Sequence, residues 1–225
     1  MPSFLILRLD GPMQAWGTHT FEDFRPSSLF PTRSGLLGLL GACLGLERVD
    51  LAGQAQLAAS VEFGVRVDQE LVRPGREDAV SKRAVKLPDF HTVLDARKVD
   101  GSANKFPIVS RREYLFDAAF TVAVGARPDA PITLARIAEA LRRPCYTPSL
   151  GRRSCPLARP LLEGAPVEAT DAQAALAATP IAGGLVYSEG HASSQPMRLR
   201  DVPLHGRTRQ FGTRLVYVHK EPPCS

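Results

Sequence analysis

Apolar residues crowd the start of the chain. From Ser3 to Leu9, Phe4 and Ile6 fall on one face of an extended segment and Leu5, Leu7 and Leu9 on the other, which predicts a strand buried on both sides. Asp10-Gly11-Pro12 ends it. The run has no charged region ahead of it and is too short for a signal peptide. A long irregular stretch, Met13 to Thr32, follows with Trp16, Phe21, Phe24 and Phe30, an aromatic content that argues against disorder. Ser34 is placed to cap a helix to about Cys43, with Gly35, Gly38 and Gly41 inside it. Each internal glycine costs a helix about 1 kcal/mol relative to alanine, so three of them predict a closely approached surface, with packing on a sheet the simplest cause.

Asp50 to Ser60 reads as a second short helix and Val61 to Val67 as a second strand, expected to pair with the first. The pattern then disappears between Asp68 and Ser110, leaving Lys82, Arg83, Lys86, Arg97, Lys98 and Lys105 among turn residues, as in a protruding basic excursion. Arg112 to Val124 alternates as one long strand, Pro131 opens a helix through Leu141, and Pro144 closes it. Beyond a loop from Cys145 to Pro160, Leu161 to Ala169 reads as a strand and Asp171 to Ala178 as a helix. Gly184 to Tyr187, Met197 to Leu204 and Thr213 to His219 are strand-like.

Strand, helix, strand, strand, helix, strand is the order of a ferredoxin-like (RRM-like) split βαβ unit, so an α+β fold is expected. It divides the chain into a palm over 1–169, interrupted by a thumb-like insertion at 68–110, and a β-rich C-terminal extension over 170–225 packed on it. A chain of 225 residues, 44% of them hydrophobic, suits that size. Leu36 to Leu46 is apolar but far shorter than the roughly 20 residues of a membrane span, so no membrane partner is expected.

The net charge of +5 favours anionic partners. Arginine outnumbers lysine and recurs as Arg111-Arg112, Arg142-Arg143 and Arg152-Arg153, followed by Arg198, Arg200, Arg207, Arg209 and Arg214. A planar guanidinium suits phosphate and base edges. The four cysteines, Cys43, Cys145, Cys155 and Cys224, have no CxxC spacing, and the histidines His19, His91, His191, His205 and His219 lack metal-ligand spacing. The Gly35 to Gly41 run is followed by no Gly-Lys-Ser/Thr and fails the dinucleotide pattern, so neither metal nor cofactor is expected. The loop from Pro144 to Pro156 offers Tyr146 as a stacking surface and Arg152 and Arg153 as phosphate contacts, or else is a structural loop with a solvated arginine pair. A similar set, Gln14, Trp16, Arg25 and Arg33, surrounds the start of the first helix, whose free backbone N–H groups attract phosphate.

Four segments in order carry a resemblance: Gly11 to Gly17 (GPMQAWG), Phe30 to Ala42 (FPTRSGLLGLLGA), Arg112 to Leu115 (REYL) and Tyr146 to Pro156 (YTPSLGRRSCP). Together they closely resemble the fifth Cas family, the RAMP subunits of type I-E CRISPR Cascade complexes. The resemblance implies a cytoplasmic, non-catalytic RNA-binding subunit of an antiviral ribonucleoprotein, which grips the 5′ handle of mature crRNA and caps the backbone assembly. Its partners would be that handle, the first backbone subunit and the large subunit, with target DNA reached through the complex. The basic excursion resembles the family's thumb, although Phe90 and Asp95 stand where tyrosine and glycine are expected. Residues implied in RNA binding are Gln14, Trp16, Arg25, Arg33, Ser34, His91, Arg97, Arg111, Arg112, Tyr146, Leu150, Gly151, Arg152 and Arg153. A metal-independent endoribonuclease, as in a sister subtype, is the alternative; His91, Tyr114 or Tyr146 with Lys86 or Lys98 would then supply acid and base.

Overall fold

A computed structural model describes residues 1–18, 20, 23–68, 85–98, 100–180, 184–189, 196–206 and 210–221. His19, Phe21, Lys82, Arg83, His191, Arg207, Arg209 and Cys224 lie outside the described residues.

The first strand, β1 (Ser3–Asp10), is buried on both faces, as its sequence dictates. Four two-residue strands follow: β2 (Met13–Gln14), β3 (Trp16–Gly17), β4 (Phe24–Arg25) and β5 (Ser27–Ser28). Helix α1 (Arg33–Leu44) begins earlier than its glycine run suggested, because Thr32 and not Ser34 is the cap: its Oγ1 accepts from the Gly35 amide at 3.3 Å. Gly45, at φ 77°, ends that helix in the left-handed conformation. Next come α2 (Leu51–Ser60), capped by Asp50, and β6 (Val61–Asp68).

The 68–110 excursion is not irregular where it is described. It contains β7 (Val85–Val93), which pairs along its whole length with β8 (Ile108–Phe116). Nor is Arg112 to Val124 one strand. Asp117, at φ 52°, breaks it, so β8 joins a second sheet while β9 (Ala119–Ala126) stays in the first. Helix α3 (Leu134–Arg142) starts after Thr133, whose Oγ1 accepts from the Arg136 amide, rather than at Pro131. The chain then runs through β10 (Leu162–Glu168), α4 (Ala172–Ala177), β11 (Gly184–Ser188), β12 (Pro196–Leu204) and β13 (Gln210–Glu221).

Seven strands form the main sheet in the order β10-β1-β9-β6-β11-β13-β12, every neighbouring pair antiparallel. The expected pairing of β1 with β6 does not occur. Both pair with β9, which lies between them, because the helical crossover from β1 returns the chain in the same direction and leaves a gap for an antiparallel strand. Leu5, Leu7 and Leu9 meet α1 and α3 in one core, whereas Phe4 and Ile6 meet α4 on the opposite face. The C-terminal strands extend this sheet through β11 on β6. In the smaller sheet, β8 holds β7 on one edge and takes β2 and β4 on the other.

Only one of the α1 glycines is explained by close packing. A side chain at Gly35 would stand 2.7 Å from the Trp16 ring, whereas Gly38 faces open space. Among the described residues, no helix is long and apolar enough to cross a membrane.

Candidate nucleic-acid interface

The chemistry of the 145–160 loop begins with a buried frame. Gln14 donates from Nε2 to the carbonyls of Leu9 (3.1 Å) and Ala118 (2.7 Å), and its Oε1 accepts from Trp16 Nε1 at 3.0 Å. Gln14, Trp16 and Leu150 are each fully buried. The Ala15 amide donates to the Leu150 carbonyl at 3.0 Å, and at Gly151, with φ 91°, any side chain would collide with the Ala15 carbonyl. Gln14, Trp16 and Leu150, expected to touch RNA, thus have no surface to offer it; they fix the 145–160 loop against the start of the chain.

Arg33 is withdrawn in the same way. Its Nη1 binds both oxygens of Glu189 (2.7 and 2.8 Å), and its Nη2 binds the carbonyls of Ala58 (2.7 Å) and Val61 (3.1 Å). Glu189 also receives Arg127 and Arg214, each at 2.9 Å, and Arg214 clasps Asp201 at 2.6 and 2.7 Å. Burial pulls the Arg33 guanidinium below its ordinary pKa, against the opposing pull of Glu189. Asp201 accepts from the Arg33 amide at 2.7 Å. The helix N-terminus expected to attract phosphate is therefore already filled by a carboxylate of the same chain.

Cations gather instead on the smaller sheet, where Arg25 is exposed and Arg112 is half-buried with its Nε donating to the Ser110 hydroxyl at 3.1 Å. Arg25 in β4 lies beside Arg112 in β8, and partners in register share a sheet face, so both stand with Tyr114, His91 and Asp89. Arg111 points to the opposite face with Lys86 and Glu113, so the strand separates a doublet that is continuous in sequence. Arg152 ties the 145–160 loop to this sheet. It donates to the carbonyls of Arg25 (2.8 Å) and Glu113 (3.1 Å), with its guanidinium 4.8 Å from the Tyr114 ring centre. Neighbouring Arg153 is exposed, and so is Tyr146, at 46%. Arg97 is exposed next to a bridge with Ala103, and Ser34 is half-buried with its hydroxyl 3.4 Å from that of Thr32.

Glu113 organises the back of this surface. Lys86 Nζ sits 2.9 Å from its carboxylate, and the Ser27 amide donates to it at 2.9 Å. Burial alone would raise its pKa, but Lys86, that amide and Arg152 hold the carboxyl below its usual value. Sequence reasoning missed Glu113, Glu189 and Asp201, whose partners are too distant along the chain to leave a local signal.

The residues an endoribonuclease would recruit are only partly assembled. His91 Nε2 lies 3.3 Å from the Tyr114 hydroxyl and 2.7 Å from Asp89, but Tyr114 is buried and Lys86 is engaged with Glu113 on the other face. Tyr146 is held elsewhere, its amide donating to Ala42 at the end of α1. Among the described residues, no group of His, Cys, Asp and Glu is placed to hold a metal ion.

An antiparallel main sheet braced by a buried arginine cluster, beside a second sheet that carries arginines on its surface, defines a protein with a cationic face. The family described as "CRISPR-associated protein (Cas_Cas5)" matches residues 4–217, and the chain belongs to it. It is 48% identical to the CRISPR system Cascade subunit CasD of Escherichia coli (strain K12) over 223 residues, which cover 98% of this chain and 97% of the relative. A chain of a solved CRISPR RNA-guided surveillance complex superposes with a TM-score of 0.74 at 32% identity, covering 98% of this chain and 91% of the other. A second structure, described as a Cas protein, has a TM-score of 0.63 at 26% identity, with 98% and 95% covered.

Proposed function

We propose that this chain is the Cascade subunit that grips the 5′ handle of mature crRNA in the cytoplasm and caps the backbone assembly, without cutting RNA. The observation that carries the reading is the Arg25–Arg112 row, fixed by Arg152 over Tyr114 and flanked by exposed Arg153. Such a surface binds phosphates through its arginines and leaves bases free to reach the edge of His91. The sheet order β10-β1-β9-β6 with α1 and α3 as crossovers supports a ferredoxin-like palm over 1–169, with β7 and β8 in the thumb and residues 170–225 as its extension. Similarity to CasD and to a surveillance-complex chain supports the first backbone subunit and the large subunit as partners, and target DNA through the complex.

In this reading, Arg25, Arg97, Arg112, Arg153 and His91 face RNA, with Arg111 on the reverse of the sheet and Tyr146 and Ser34 at the margin. Arg152 and Gly151 position the loop, and Gln14, Trp16, Arg33 and Leu150 support it from within. The non-catalytic role rests on the separation of Lys86 and Tyr146 from the His91–Tyr114 pair. Replacing Arg25 and Arg112 together by alanine is expected to weaken binding of a handle-bearing RNA at least tenfold. It should also lower the dependence of log K on log salt by about 1.4, at about 0.7 per single-strand phosphate. Parent-like affinity and slope would remove this surface from the handle site.

A further inference from the structure

The β12–β13 hairpin has two unlike faces. One is committed to the fold: Val216 is buried, and Asp201 and Arg214 clasp each other beside the N-terminus of α1. A bulge between Leu199 and Val202 makes this possible by placing Arg200 and Asp201 together opposite Thr213 in β13, so the carboxylate turns inward.

On the other face, Arg198 stands opposite Leu215 and Pro196 opposite Tyr217. Arg198 and Arg200 are exposed; Arg200 spends only its Nε, on the Phe211 carbonyl at 3.0 Å. Leu215 is 46% exposed and Tyr217 is part-exposed. The one carboxylate of β12, Asp201, is on the opposite face, and Gln210 to Lys220 of β13 contain none.

We propose that this face, Arg198 and Arg200 with Leu215 and Tyr217, is a second contact for a single-stranded nucleic acid, with phosphates on the arginines and a base against Leu215 and Tyr217. Two guanidiniums with no carboxylate beside them among the described residues of β12 and β13 select a polyanion. The adjoining apolar and aromatic surface selects a strand with unpaired bases, since a duplex keeps its base faces stacked inside. The site shares no residue with the Arg25–Arg112 surface and does not depend on the handle reading. The same chemistry is offered by RNA and by DNA, so the test carries both.

The purified full chain is titrated with fluorescent oligo(U) and oligo(dT), which contain no handle sequence, across a range of salt concentrations. Arg198→Ala plus Arg200→Ala is expected to weaken binding about tenfold and to lower the salt slope by about 1.4, while Tyr217→Ala weakens binding at unchanged slope. Arg198→Gln plus Arg200→Gln, which keeps side-chain length, should behave like the alanine pair, and all variants should melt with the parent. Loss on oligo(U) alone identifies RNA as the ligand, loss on oligo(dT) alone identifies DNA, and loss on both a backbone contact common to the two. Parent-like binding of both oligomers by the arginine variants, or no binding of either by the parent, overturns the proposal.

Discussion

The guanidinium of Arg152 lies 4.8 Å from the centre of the Tyr114 ring, and two of its nitrogens are already spent on the Arg25 and Glu113 carbonyls. This arginine is a brace more than a free phosphate ligand. Its neighbour Arg153 is exposed and has no comparable role.

The pair can therefore be separated by experiment. Arg152→Ala loses a cation–π contact and two charged hydrogen bonds and is expected to cost about 1–2 kcal/mol of stability. Arg153→Ala should stay within about 0.5 kcal/mol of the parent and weaken RNA binding instead. Urea unfolding beside RNA titration distinguishes the two; equal stability for both variants would deny the brace.

Arg33→Ala leaves the Glu189 side chain, only 9% exposed, with one of its three arginines gone and four hydrogen bonds lost. Breaking a buried pair from one side typically costs about 3–5 kcal/mol, and that range is expected in the urea midpoint. A loss below about 1 kcal/mol would show that the cluster repacks without it.

Glu113 gives the smaller sheet a pH dependence. Its carboxyl titrates below the usual range in the folded chain, so its stabilising contribution is complete above the unfolded-state value of about 4.3 and is lost as pH falls through the folded value. The stability gap between the parent and Glu113→Gln should be widest near neutral pH and close in acid. A gap that stays constant from pH 7 to pH 3 would contradict this assignment.

Among the described cysteines, Cys145 is exposed while Cys43 and Cys155 are buried. Burial pushes the Cys43 thiol up to about 11 and also raises Cys155, so neither forms the reactive thiolate readily. Brief alkylation of the native chain, read by peptide mass spectrometry, should mark Cys145 well before the other two. Equal labelling would mean that the α1 end of the core opens easily.

Local features were the legible ones. The double-faced apolar run of β1, the short helices near Asp50 and Asp171 and the C-terminal strands follow from neighbours a few residues apart. Misreadings arose where distant contacts decided the outcome. The break at Asp117 is invisible because Tyr114, Phe120 and Val122 are all buried, in two different sheets. Strand β7 was hidden because Leu87 and Phe90 remain exposed and leave no buried-face signal. The Arg25, Arg112 and Arg153 surface could be nominated from composition, but not the withdrawal of Arg33, whose partners Glu189 and Asp201 are 156 and 168 residues away.

The most direct test of the central claim is to incubate the purified chain, in EDTA, with end-labelled repeat RNA and with mature guide RNA, scoring bound and cut RNA in the same samples. The account predicts salt-sensitive binding of the guide with both RNAs left intact. A discrete cut in the repeat, abolished by His91→Ala, would contradict it and make the chain a processing enzyme.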